Sequence, residues 1–161
     1  MKLAKIFLAV VALFAMSCVE KIGGGGTTTT TVNWGNEGSI IGDWELTSFD
    51  GSNEAKPRIY IAFYEDNTFE MYQQAYSVVW YRYEGTFNFD GTTLSGLYSD
   101  GKPLSAEYAV SFAKEPSRMR LIRKDNDNDI SIYTENEIPV YIKDEAIEPQ
   151  NVRSVTIERF L

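Results

Sequence analysis

From Arg58 to Thr134 the chain is a series of short stretches in which apolar and polar residues alternate, each ended by turn-forming residues. Strict alternation puts successive side chains on opposite faces of a strand, whereas a helix repeats every three to four residues. Ile59, Ile61 and Phe63 alternate with Arg58, Tyr60 and Tyr64; Glu65-Asp66-Asn67-Thr68 turns the chain, and Phe69 and Met71 resume the pattern. Val79, Tyr81, Tyr83, Phe87 and Phe89 share one face of a longer strand, with Trp80, Arg82, Glu84, Thr86 and Asn88 on the other. Asp90-Gly91 is a hairpin signal, because both residues tolerate the positive φ that tight β-turns require. Leu94 and Tyr98 precede a turn at 99–103; Tyr108, Val110 and Phe112 alternate with Glu107, Ala109 and Ser111. A turn at 114–117 leads to Met119 and Leu121, and Asp125–Asp129 is read as the turn into Ile130, Ile132 and Thr134. No ten-residue stretch has helical spacing, so the fold is all-β: a barrel or sandwich joined by hairpins. Pro139 bars residues 137–148 from a central strand and leaves a loop, an edge strand or one helical turn. Val155 and Ile157, alternating with Ser154, Thr156 and Glu158, mark a last strand.

Composition narrows what such a sheet can do. The chain carries 23 acidic and 15 basic residues, for a net charge of −8. Long-range forces therefore repel phosphate backbones, and no nucleic-acid partner is expected. There is no histidine, which removes the commonest general base and transition-metal ligand. The sole cysteine, Cys18, has no partner within the chain for a disulfide. Aromatic residues make up 14%, ten of them tyrosines, which suits half-buried pleated surfaces.

The first residues have a separate logic. Lys2 and Lys5 precede Ile6–Met16, an unbroken apolar run, and small residues follow up to Cys18. A charged start, a short apolar stretch and small residues make an export signal, too short to cross a bilayer as a helix. Ala15-Met16-Ser17-Cys18 resembles the lipobox of bacterial lipoproteins, although that family most often has Leu where Ala15 stands and Gly or Ala where Ser17 stands. The resemblance implies cleavage before Cys18 and lipidation of its sulfur, and hence membrane attachment in the bacterial cell envelope, at the outer membrane. Ala15-x-Ser17 also fits ordinary secretory cleavage at the same bond, which would leave Cys18 a lone thiol. Its position directly after the signal favours the lipid anchor. Gly23–Gly26 and Thr27–Thr31 have nothing to bury and read as a tether. The organisation is then signal peptide 1–17, lipidated cysteine and tether 18–31, and folded domain 32–161.

Ile40-Ile41-Gly42-Asp43-Trp44-Glu45-Leu46 resembles the Gly-x-Trp opening of lipocalins and of the lipocalin-like domains common in lipoproteins from Bacteroidota-type bacteria. Phe63-x-x-Asp66-Asn67-Thr68-Phe69 and Tyr83-x-Gly85-Thr86-Phe87 resemble later strands of the same domains. The resemblance implies an up-and-down antiparallel β-barrel of about eight strands, closed at its end by the strand near 152–160. It also implies that Gly42 and Trp44 plug one barrel end, with a basic residue across the indole: Arg159, Arg153 or Arg123.

Candidate chemistry is sparse. Asp125, Asp127 and Asp129 match the first oxygens of a calcium loop, but Ile130 and Asn136 stand where that loop needs Gly and Glu, so a polar hairpin is favoured and no metal or other cofactor is expected. Tyr60, Tyr64, Tyr72, Tyr76, Trp80, Tyr81 and Tyr83 either line a cavity or stacking surface, or are core and cross-strand pairs. If Tyr81 and Tyr83 point inward, Trp80 and Arg82 point outward and suit a contact surface. Nothing marks any two carboxylates as a catalytic pair, and the chain is read as a non-enzyme. The leading function is a membrane-anchored binder of a small apolar or amphipathic ligand. The alternative is a structural or interaction lipoprotein meeting a protein or glycan through exposed aromatics, Trp80 and Trp34.

Overall fold

The computed structural model describes residues 18–19, 31–50, 57–75, 78–149 and 158–161. The export signal and most of the tether lie outside the described residues, as do Tyr76 and Arg153. Cys18–Val19 (β1) pairs antiparallel with Thr31–Val32 (β2). A separate compact unit runs from Gly35 to Leu161.

Within that unit the described residues form Gly42–Phe49 (β3), Arg58–Phe63 (β4), Thr68–Gln74 (β5), Tyr81–Phe89 (β6), Thr93–Tyr98 (β7), Tyr108–Ala113 (β8), Arg118–Arg123 (β9) and Asn126–Glu135 (β10). They close a barrel in which each strand pairs with its chain neighbour and β10 returns to β3. Of the barrel or sandwich that the alternation leaves open, the fold is thus the up-and-down antiparallel barrel that the lipocalin-like resemblance implies.

The closing strand is not the one expected from the sequence. The seam is β10 against β3, from Ser131 opposite Phe49 to Glu135 opposite Trp44. β10 is ten residues long and pairs with β9 on its other side, so the ring is complete before the run near 152–160 is reached. Residues 152–157 of that run lie outside the described residues, and Glu158–Leu161 is not in a strand.

Alternation sorts the side chains as the sequence implies. Trp44, Leu46, Ile59, Ile61, Phe69, Met71, Tyr81, Tyr83, Phe87, Leu94, Tyr108, Val110, Met119 and Leu121 meet in one inner core. Gly85 falls on the inward register of β6 between Tyr83 and Phe87. A Cβ there would stand 2.2 Å from the Leu97 carbonyl oxygen and 2.8 Å from the Phe69 ring. Glycine thus lets β7 and Phe69 close in, and Phe69 meets Tyr98 edge-on at 5.6 Å.

One local reading changes and another, left open between loop, edge strand and helical turn, is narrowed to the helix. The β9–β10 turn is Lys124-Asp125, and Asn126 already pairs with Arg123. Residues 127–129 bulge out before pairing resumes at Ile130 opposite Ile122, so the acidic run is a tight turn plus a bulge, not one long turn. Residues 137–148 contain a short helix, Val140–Glu145 (α1), begun after Pro139. Ile138 and Ile142 drop from this strap onto Tyr60, Ala62, Tyr72 and Trp80, on the outer face of the sheet. Those outward apolar residues need a cover, which antiparallel sheets usually lack on one side. The strap is tied to β3 where the Ile138 amide donates to Asp43 Oδ2 at 3.1 Å. Its far end is tied to β6 by main-chain bonds between Ile147 and Trp80 and between Arg82 and Ile147, both 2.9 Å.

Candidate functional site: the two ends of the barrel

At one end, β3 opens on Gly42, whose φ of 138° favours a residue without a side chain. Trp44 follows on the inner face, only 2% exposed. Its indole N–H donates to the Ile40 carbonyl at 2.7 Å, and its ring lies 6.4 Å from Phe112. Gly35 exchanges main-chain hydrogen bonds of 2.9 and 2.7 Å with Phe112, holding the stretch before β3 against this end. Of the basic residues implied as the partner of Trp44, Arg153 lies outside the described residues, and Arg159 and Arg123 are engaged elsewhere. Arg159 lies over the rings of Tyr98, at 4.2 Å, and Tyr83, at 5.3 Å. Arg123 binds both carboxylate oxygens of Asp125 at 2.9 Å. Both belong to the opposite end; the indole N–H itself donates to a main-chain carbonyl.

That opposite end, the mouth, is stopped by Glu158–Leu161. Gln73 is the last inward residue of β5, in the register of Phe69 and Met71, and it is fully buried. Its side-chain amide donates to the Glu158 carbonyl at 2.7 Å, and its side-chain oxygen accepts the Phe160 N–H at 3.0 Å. Leu161 reaches the inner core at 1% exposure, where its main-chain oxygen accepts the Tyr98 hydroxyl. Phe160 meets Phe49 edge-on at 5.1 Å. Arg159 grips Asp100 with two bonds, 3.0 and 2.7 Å. Those bonds, above all, hold the Asp100 carboxyl well below the usual carboxylate range.

Partly formed by this segment is a pocket of about 240 Å³ walled by Phe49, Pro57, Ala75 and Phe160, with Gln73, Ser105, Arg123, Asp129, Glu158 and Arg159 as its polar residues. Burial pushes the Asp129 carboxyl up, against the pull of Arg123 at 3.5 Å. Tyr83, Tyr98, Tyr108 and Tyr133 lie inside the barrel, and burial pushes each phenol above its ordinary value. Tyr108 shares a 2.8 Å hydrogen bond with Ser105. The hydroxyls of Tyr83 and Tyr133 are buried without a hydrogen-bond partner among the described residues.

The structure divides the candidate aromatics between the two faces of the sheet. Tyr81 and Tyr83 are core residues on the inner face. Trp80 does point outward but is not exposed. It is 4% accessible, lies under the strap, and has the Arg58 guanidinium 4.9 Å above its ring. Tyr60 is covered with it and donates to Glu45 at 2.9 Å; burial first, then that carboxylate, pushes its phenol up to about 12. Trp34 is partly buried. Of Cys18 only the main chain is described. Asp125 and Asp129 turn to Arg123, and among the described residues no group of three or more acids or other ligating side chains could hold a metal ion.

One acid cluster stands on the outer face. Glu70 and Glu84 are cross-strand partners, bridged by Arg82 at 2.6 and 2.9 Å. Burial raises the Glu70 carboxyl, but hydrogen bonds from Tyr64 and Tyr72 and the charge of Arg82 more than offset it and leave the group below its usual range. A general acid needs the opposite shift.

Sequence reading missed Gln73, Asp100 and the 158–161 segment. The signal for Gln73 was available: it is a polar residue at an inward position. No protein-family model matches this chain, and no curated protein or solved structure matches it either.

Proposed function

We propose that this protein is a lipid-anchored envelope protein, attached through Cys18, whose barrel mouth binds a small amphipathic molecule. The observation that carries this reading is the mouth pocket, where apolar walls from Phe49, Pro57, Ala75 and Phe160 converge with Gln73, Arg123 and Asp129. Binding sites of this kind combine an apolar lining with a few placed polar groups. At about 240 Å³ the space is smaller than a typical drug-sized site, so the ligand is compact, with an apolar body and a polar head facing Arg123. The competing reading, action through an outer aromatic face at Trp80 and Trp34, loses the first of them because the strap buries Trp80.

The test is native mass spectrometry of the full chain, purified from its membrane and then incubated with lipid and metabolite extracts. A bound small mass that is lost in Arg123→Gln is expected. A clean unliganded mass across all extracts overturns the reading. The anchor is tested separately: Cys18→Ser should move the chain from the membrane fraction to the soluble fraction.

A further inference from the structure

The barrel ring is complete without Glu158–Leu161, and no strand ladder among the described residues includes that segment. Yet the mouth is shaped around it. Gln73 is a fully buried amide on an otherwise apolar register, an arrangement that is costly unless its polar atoms are paired. Both of its hydrogen bonds go to the main chain of this segment, one donated to the Glu158 carbonyl and one accepted from the Phe160 amide. That two-way grip is what a neighbouring strand would offer an extended peptide, supplied here by one side chain. It reads backbone, not side-chain identity.

Identity is read around it. Leu161 fills a hole in the inner core, Phe160 packs edge-on against Phe49, and Arg159 sits on Tyr98 with its guanidinium forked onto Asp100. Planar forked pairing and stacking on an aromatic ring are features of arginine that lysine does not reproduce. The Tyr98 hydroxyl completes the main-chain contacts.

We propose that the mouth is a binding site for an extended peptide with the order arginine, aromatic, aliphatic, and that residues 158–161 occupy it in cis. A segment of the same chemistry on another protein enters by displacing them. This goes beyond the small-ligand reading and does not depend on it. Tethering puts the internal segment at roughly millimolar effective concentration, so an outside peptide competes poorly until the internal one is weakened.

Two measurements decide it. In the unaltered full chain, hydrogen exchange compares the Phe160 amide with seam amides such as that of Tyr133. Release without barrel unfolding predicts that the Phe160 amide is protected, yet exchanges at least about a hundredfold faster than the seam. Exchange of both at one common rate makes the segment part of the cooperative barrel and overturns the proposal. In the full chain carrying Phe160→Ala and Leu161→Ala, a peptide reproducing residues 158–161 is titrated while the Gln73 side-chain amide signals are followed by NMR. Saturable shifts, at least about tenfold weaker in the unaltered chain, are expected. A folded double variant whose Gln73 signals ignore the peptide overturns the proposal, as does equal binding by both chains. If the double variant does not fold, the exchange measurement alone decides. A negative result here leaves the small-ligand test, made on the unaltered chain, standing.

Discussion

The two ends of this barrel are closed in opposite ways. At one end the seal is Trp44, a residue of the sheet itself, buried with Ile40 and Phe112 and tied by a single indole hydrogen bond to a neighbouring carbonyl. At the other the seal is Glu158–Leu161, which joins no ladder and is held by a buried amide, a phenol, an aromatic edge and an ion pair. The first seal cannot leave without breaking a strand. The second can be lost while every strand keeps its neighbours. Sealing a barrel is therefore not one problem but two, and only the second kind of seal leaves an entrance.

Removing each seal measures the contrast. Trp44→Ala should cost the most, about 3–5 kcal/mol, because a large side chain is deleted where strands surround it and little can collapse inward. Urea unfolding checks this, with either a large drop in midpoint or no folded protein at all. Leu161→Ala should fall at the low end of the range for buried leucines, about 2 kcal/mol, since the mouth can relax or admit water. If the two variants lose the same stability, the mouth seal is as integral as the indole and the contrast fails. Gln73→Leu is expected to change barrel stability by no more than about 1 kcal/mol, because apolar burial offsets two lost hydrogen bonds. It should nevertheless abolish protection of the Phe160 amide in hydrogen exchange.

The smallest effect is that of acid. Asp100 has its carboxyl depressed from an ordinary 3.8, chiefly by the hydrogen bonds from Arg159. A depressed carboxylate contributes stability that is present above its unfolded value and lost as pH falls through the folded one. Protection of the Phe160 amide, corrected for intrinsic exchange, should thus hold from neutrality down to about pH 4 and decline below it. The seam amides should not follow that decline, and Asp100→Asn should remove the pH dependence.

Much of this was legible in the sequence, and what was not has a physical cause. Alternation identified the strands from Arg58 to Thr134 and most of the inner core, because nearly every inward position in a barrel meets the same apolar interior, whereas β3 was placed by the Gly42-x-Trp44 resemblance. It could not identify the seam, since pairing of β10 with β3 is a long-range choice that leaves no mark on either strand alone. Alternation put Trp80 opposite Tyr81 and Tyr83 without saying which face is inside, and the cover over Trp80 arrives from Ile138 and Ile142, far along the chain, in a stretch whose Pro139 obscured its structure. Register at the β9–β10 turn was settled by a bulge that absorbs residues 127–129, which composition could not place. Gln73 was a visible exception in an apolar row, yet its partner lies in a segment that alternation assigned to a strand.

The ring topology has a consequence for how the molecule is assembled. Among the described strands of the barrel every ladder joins neighbours in the chain except the seam, where Thr47 meets Ile132, 85 positions away. Hairpins form from short loops, whereas the seam must close one very long loop and gains nothing until it does. Until the seam closes, β3 and β10 are the two strands that lack a partner on one side. Those two edges are where one chain can pair with another instead of with itself. Self-association of this protein during folding should depend on concentration and vanish once the ring has shut.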